Sequence, residues 1–132
     1  MSSLPLTNKE LASFDSQQRF QYFLEQAVAE AQVWILTDEE GFVLLNCEEE
    51  SCIPVWPSEE SALLWAVAGW ENCQPKAIAL KTWQLRWTQG LTEDQLLIVV
   101  FPSIEEEGLV LEPEELDAEF RRQIKKNNTK KK

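Results

Sequence analysis

The sequence has no histidine, and its 132 residues include only three cysteines and four glycines. Without an imidazole, a serine or cysteine nucleophile activated by histidine is excluded, and the commonest general base at neutral pH is lost. The three thiols, Cys47, Cys52 and Cys73, cannot all pair within one chain, and no Cys-x-x-Cys spacing occurs. A zinc site would have to borrow carboxylates, so no metal and no cofactor is expected, and the cysteines read as small apolar residues of a reducing compartment. Long apolar runs are missing as well. Runs such as residues 62–68 and 96–101 fall far short of the roughly 20 residues that span a bilayer. The first six residues, Met1-Ser2-Ser3-Leu4-Pro5-Leu6, have neither the basic start nor the apolar stretch of a secretory signal. A cytoplasmic protein without membrane contact is expected.

What is present is an ordinary globular composition, 44% apolar and 27% charged, at the length of one domain with its own core. The charge is unevenly placed. Seven basic residues and no acid lie from Arg121 onward, which leaves residues 1–120 with five basic against 23 acidic side chains, a net of −18. Such a body repels phosphate backbones, so the folded domain is not expected to bind nucleic acid. The basic end can touch RNA, lie across the acidic body or extend into solvent. With so many acids, neighbouring carboxylates are inevitable and single out no acid–base pair. No catalytic residue is assigned.

Periodicity gives the elements. Thr7-Asn8-Lys9-Glu10 is a capping-box pattern that opens a short helix carrying Leu11 and Phe14. A second helix starts at Asp15 or Ser16, with Phe20, Phe23, Leu24, Ala27, Val28 and Ala31 on one face and Arg19, Tyr22, Glu25 and Glu30 off it. Residues 33–36 and 42–45 flank Asp38-Glu39-Glu40-Gly41 as a hairpin, and residues 52–56 form a third strand beside the second. After a helix from Ser58 to about Gly69, with Ala62, Leu63, Ala66 and Val67 inward, residues 75–80 make a further strand. A short helix then carries Trp83 and Trp87 on one face and stops at Gly90. Residues 96–101 read as the sheet centre, residues 109–111 as a short strand, and Pro113 opens a last helix with Leu116, Phe120 and Ile124 as its stripe. The expected fold is α+β: a single domain over residues 1–124 with a mixed, mostly antiparallel sheet of five to six strands and helices packed on its faces. Residues 125–132 are expected to be a disordered basic tail.

The chain is organised around Pro54-Val55-Trp56-Pro57 and the helix that follows. Two prolines fix the backbone about Trp56, Ser58 is a good N-cap, and Glu59 and Glu60 bring negative charge to the first helical turn. Six tryptophans, at 34, 56, 65, 70, 83 and 87, are many for this length. Most of them are expected to fill the core. Trp56, at a strand end where pockets form in such sheets, is the candidate exception. Trp56, Pro57, Ser58, Glu59, Glu60 and Trp65 are therefore the candidate binding residues, rimmed by Glu48, Glu49 and Glu50. Ser58 reads as a cap before a nucleophile.

These residues carry a resemblance. Trp34, Gly41, Leu44, Pro54-Val55-Trp56-Pro57, Trp70, Pro75, Ile78 with Leu80, Trp83, Trp87 and Phe101-Pro102 resemble the bacterial family called domain of unknown function 2750, over about residues 16–120. The turn about Trp56 also resembles, more faintly, the amino-terminal domain of the serine-sensitivity enhancing proteins. Lys81-Thr82 and the basic tail depart from the family pattern. The resemblance implies a fold and no activity. The expected function is a non-enzymatic module that docks a basic protein partner through an acidic rim around an exposed Trp56. The alternative is a regulatory or enzymatic small-molecule pocket near Trp56.

Overall fold

Asp15 caps the first described helix, α1 (Ser16–Glu30), because its side chain accepts the Gln18 N–H at 2.8 Å while Gln18 Oε1 accepts the Asp15 N–H at 2.9 Å. We describe a computed structural model of the chain, which covers residues 15–47, 50–66, 72–102 and 108–130. The helix expected around Leu11 and Phe14 lies outside these residues, as do Trp70, Glu48 and Glu49. The predicted apolar face of α1 is buried at Phe20, Phe23, Leu24 and Ala27. Arg19, expected off that face, is buried too, at 4% exposure.

Strand β1 (Gln32–Asp38) turns through Asp38, whose Oδ1 accepts the N–H groups of Glu40 and Gly41, into β2 (Gly41–Phe42). Gly41 takes φ +134°, as the turn demands. The hairpin forms, but its second arm is cut. After Val43 donates to the Leu36 carbonyl the chain leaves β1, and β3 (Leu45–Cys47) pairs instead with β4 (Glu50–Val55). Helix α2 (Glu59–Trp65) follows, then β5 (Gln74–Ala79) on the free side of β1. The helical segment α3 comprises Leu80–Thr82, a π-turn at Trp83–Trp87 and Thr88–Glu93. Strand β6 (Leu97–Val100), strand β7 (Leu109–Leu111) and helix α4 (Pro113–Lys130) complete the order.

The expected single sheet is two sheets, β2-β1-β5 and β3-β4-β6-β7. They meet at one antiparallel bridge, where Trp34 and Trp56 exchange backbone hydrogen bonds of 3.1 and 2.9 Å. The α+β class and the mixture of strand directions hold, since β4 and β6 are parallel and the other pairs antiparallel. The bridge also explains how proline is tolerated inside β4. Val55 O accepts from Phe101 N, so Ile53 and Val55 point their backbone groups towards β6 and Pro54 points the other way. On that side β3 pairing ends at Cys52 and the Trp34 bridge begins at Trp56. The missing N–H of Pro54 falls in the gap between them.

Three further expectations change. The helix through Trp83 does not stop at Gly90 but runs to Glu93, because Gly90 lies inside a continuing turn and keeps its place without a side chain. Leu63, expected inward, is exposed, while Ala62, Ala66 and Ser61 face the core. Helix α4 continues to Lys130 and carries Lys125 and Lys126 beyond residue 124. Its stripe behaves as predicted, with Leu116 and Phe120 buried and the Phe120 ring 5.8 Å from Phe23 on α1. β6 is interior to its sheet, as its uninterrupted apolar sequence implies.

Chain return after β6 depends on Gly108. Its φ is +86°, and a Cβ there would lie 2.6 Å from the Val100 carbonyl oxygen and 3.1 Å from Val99 Cγ2. Gly108→Ala is expected to lower stability by ~2 kcal/mol or more, through backbone strain and the displaced β6 end. A urea denaturation midpoint indistinguishable from the parent would contradict this account.

Candidate functional site

Of the residues the sequence marked, Trp56 is the most firmly placed, and it is not exposed. It has 0% exposure, its Nε1–H donates to the Pro102 carbonyl at 3.0 Å, and its ring lies 5.3 Å from that of half-buried Trp65. Pro57 is buried beside it. Ser58 accepts the Ser61 N–H at 3.1 Å and sits 2.9 Å from the Ser61 hydroxyl, the geometry of an N-cap with no general base in contact. Glu59 and Glu60 are exposed on the first turn of α2. Glu50, expected on the same rim, starts β4, whereas Glu59 and Glu60 follow its far end. At roughly 3.3 Å per residue a strand of this length separates them by well over a side chain's reach. The acidic ring around an open indole therefore does not form from Glu50 and these two. The exception chosen from sequence belongs to the core.

The packing around Trp56 shows why. Pro102 follows Phe101, a non-glycine residue at φ +52°. That corner is held by Phe101 N–H donating to Val55 O at 2.7 Å, by Arg19 Nε donating to Phe101 O at 3.0 Å, and by the Arg19 guanidinium lying 3.8 Å over the Phe101 ring. A positive φ at an aromatic residue persists only when its surroundings over-determine it, and three separate contacts do so here.

A different place has the shape of a site. Between the end of α3, β6–β7 and the start of α4 lies an open cleft of about 660 Å³ lined by Glu50, Thr92, Leu97, Val110, Glu112 and Glu114 among others. Val110 is exposed on edge strand β7, and half-buried Leu96, Leu97 and Leu111 supply apolar surface. Glu50, Glu112, Glu114 and Glu115 supply carboxylates, all on exposed residues. Glu115 also accepts the Glu112 N–H at 2.9 Å and so fixes the start of α4. With no cation among its lining residues, the cleft suits a positively charged group attached to an apolar one.

Alongside it, α3 carries a stacked pair. The π-turn, closed by Thr88 N–H and Oγ1 both donating to Trp83 O, lays Trp83 and Trp87 5.3 Å apart at 7°. The shared face predicted from their spacing is thus present. Phe42 joins Trp87 at 5.3 Å. Trp83 is fully buried, and its Nε1–H meets no acceptor among the described residues. Helix α3 is fixed to α4 by Gln84 Nε2 donating to Asp117 Oδ1 at 3.1 Å.

Sequence reasoning missed the cleft because its walls come from three separated segments that become neighbours only when β6 pairs with β4 and β7. One usable signal existed for its surroundings. Residues 72–92 contain Lys76, Lys81 and Arg86 and no acid, which a charge count in short windows reveals.

Among the described residues no helix is long and apolar enough to cross a membrane, and no group of three His, Cys, Asp or Glu side chains could hold a metal ion. Cys52 and Cys73 are both buried. Residues 20–120, most of the chain, match the family described as protein of unknown function (DUF2750). No curated protein matches the chain.

Two measurements check these assignments. Trp56→Phe leaves the buried Pro102 carbonyl without its donor and opens space in the core, so it is expected to cost ~2–4 kcal/mol. Ser58→Ala is expected to cost about 1 kcal/mol, the usual value of a cap. Equal and negligible losses in urea titrations would remove both from the framework. Burial, and secondarily the Asp38 charge, push the Cys73 thiol above its ordinary range. Less thiolate is then present at any given mildly alkaline pH, so iodoacetamide should alkylate Cys73 more slowly than free cysteine, and Asp38→Asn should speed it. Peptide mapping by mass spectrometry reads both rates.

Proposed function

We propose that this chain, which belongs to the DUF2750 family of proteins of unknown function, is a non-enzymatic binding module for a basic protein partner. The observation that carries the reading is the cleft at the start of α4, which combines an apolar floor with Glu50, Glu112, Glu114 and Glu115. Opposed charge accelerates encounter and fixes register, while the leucines and Val110 offer apolar area to bury. The partner presents lysine or arginine beside an apolar side chain. An acidic body of net −18 over residues 1–120 favours the same sign of partner. The expected small-molecule pocket near Trp56 has less support, because that indole is sealed by Pro57, Trp65 and Pro102. The buried Cys73 thiol, which forms no disulfide among the described residues, suits the cytoplasmic location that forms part of this proposal.

The test uses a fluorescein-labelled peptide alternating arginine and leucine, with a glutamate–leucine peptide as control, and reads anisotropy. The parent is expected to bind the basic peptide alone. Glu112→Lys with Glu114→Lys should weaken binding by about tenfold or more, while Glu59→Lys with Glu60→Lys leaves it nearly unchanged. Binding indifferent to the first pair, or lost equally with the second, would overturn the cleft as the site.

A further inference from the structure

Helix α3 offers an outward strip of a kind found nowhere else on the described surface. Lys81, Leu85, Gln89 and Thr92 recur at three- and four-residue spacing and are all exposed, Leu85 at 67%. Arg86 is exposed beside Leu85. The strip is basic at its start and ends at Thr92, which lines the acidic cleft. Its basic half belongs to the acid-free stretch of residues 72–92, while the rest of residues 1–120 holds two basic side chains against 23 acids. One rigid helix thus carries a positive patch at one end and borders a negative cleft at the other. At 1.5 Å per residue, Lys81 and Thr92 stand about 16 Å apart.

We infer that this surface takes a second copy of the same chain, with the two α3 helices antiparallel about a two-fold axis. Turned end for end, Lys81 of one copy reaches the cleft carboxylates Glu112, Glu114 and Glu115 of the other, and the same contact repeats across the axis. An isologous contact needs such self-complementarity, and opposite charges at the two ends of one strip provide it. Leu85 lies near the strip's midpoint, so the two copies bury their leucines against each other at the axis. A parallel arrangement would set Lys81 against its own counterpart. The rigidity is in place beforehand, since the Phe42–Trp87 ring contact and the Gln84–Asp117 hydrogen bond hold α3 to the body. The overall charge of −11 per chain opposes association over long range, but charges beyond about 8 Å are largely screened at physiological salt. The inference rests on the cleft being a site for basic groups and names the second copy as what fills it.

Sedimentation equilibrium of the full chain at constant physiological salt tests it. The weight-average mass is expected to rise with concentration from 15.3 kDa towards twice that value. Leu85→Asp and Lys81→Glu, both at exposed positions, should each raise the dimer dissociation constant by about tenfold or more. Lys81→Glu combined with Glu114→Arg should recover most of the loss, because each new pair again joins opposite charges across the axis. The labelled arginine–leucine peptide should shift the parent towards monomer. A chain that stays monomeric, a dimer indifferent to both single variants, or assembly past the dimer would each overturn the inference. Monomeric Leu85→Asp separates the two readings: if it binds the peptide, the basic-partner site stands whatever becomes of the dimer. If it does not bind, the site itself fails.

Discussion

The two backbone hydrogen bonds between Trp34 and Trp56 are the constraint on which the rest of the structure depends. They are the junction of a three-stranded and a four-stranded sheet, made where β1 changes partner from β2 to the end of β4. A single bridge is a weak joint in water, worth only a fraction of the bonds in a full ladder. Here it is dry, because the Trp56 ring fills the space behind it and its indole reaches Pro102. The same side chain therefore closes the seam and anchors the corner at Phe101, and Arg19 on α1 reaches that corner from the other side. Sheet, helix and corner are coupled through one indole.

This coupling decides what is left for function. A tryptophan committed to joining sheets cannot also offer its face to a partner, and the proposed recognition site lies at the other end of the parallel pair β4–β6. There β7, an edge strand of only three residues, ends against α4, and acids collect where the helix dipole favours them, at Glu114 and Glu115. Charges that stabilise a helix start double as the wall of a cleft. The basic counterweight sits on α3, held in place by the stacked Trp83 and Trp87. Charge segregation within one small domain favours ordered contacts over diffuse attraction.

Much of this was legible beforehand where a local rule and the fold agree. The helix start at Asp15, the stripe of Leu116 and Phe120, the turn at Gly41 and the interior position of β6 each follow from a few neighbouring residues. The failures share a cause. Arg19 looked like surface because arginine usually is, yet a carbonyl and a ring from residue 101 lie within reach of it. Gly90 looked like a stop, but a π-turn upstream shifted the phase and packing carried the helix past it. The second arm of the hairpin looked like one strand because its residues suit a strand throughout. Where it is cut depends on which neighbour is nearer.

By itself, the sequence determined the elements, the class and the family, because periodicity, caps and proline geometry act within a few residues of one another. It also determined that an acidic body ends in a basic helix. Only the tertiary structure decided that the sheet is two sheets, that Trp56 faces inward and that Glu50 lines a cleft with Glu112 instead of a rim with Glu59. Those outcomes depend on pairings between segments tens of residues apart, such as β4 with β6, whose energies no local pattern contains. Exposure is a property of the whole packed chain, and it separates a tryptophan that binds a partner from one that holds the fold together.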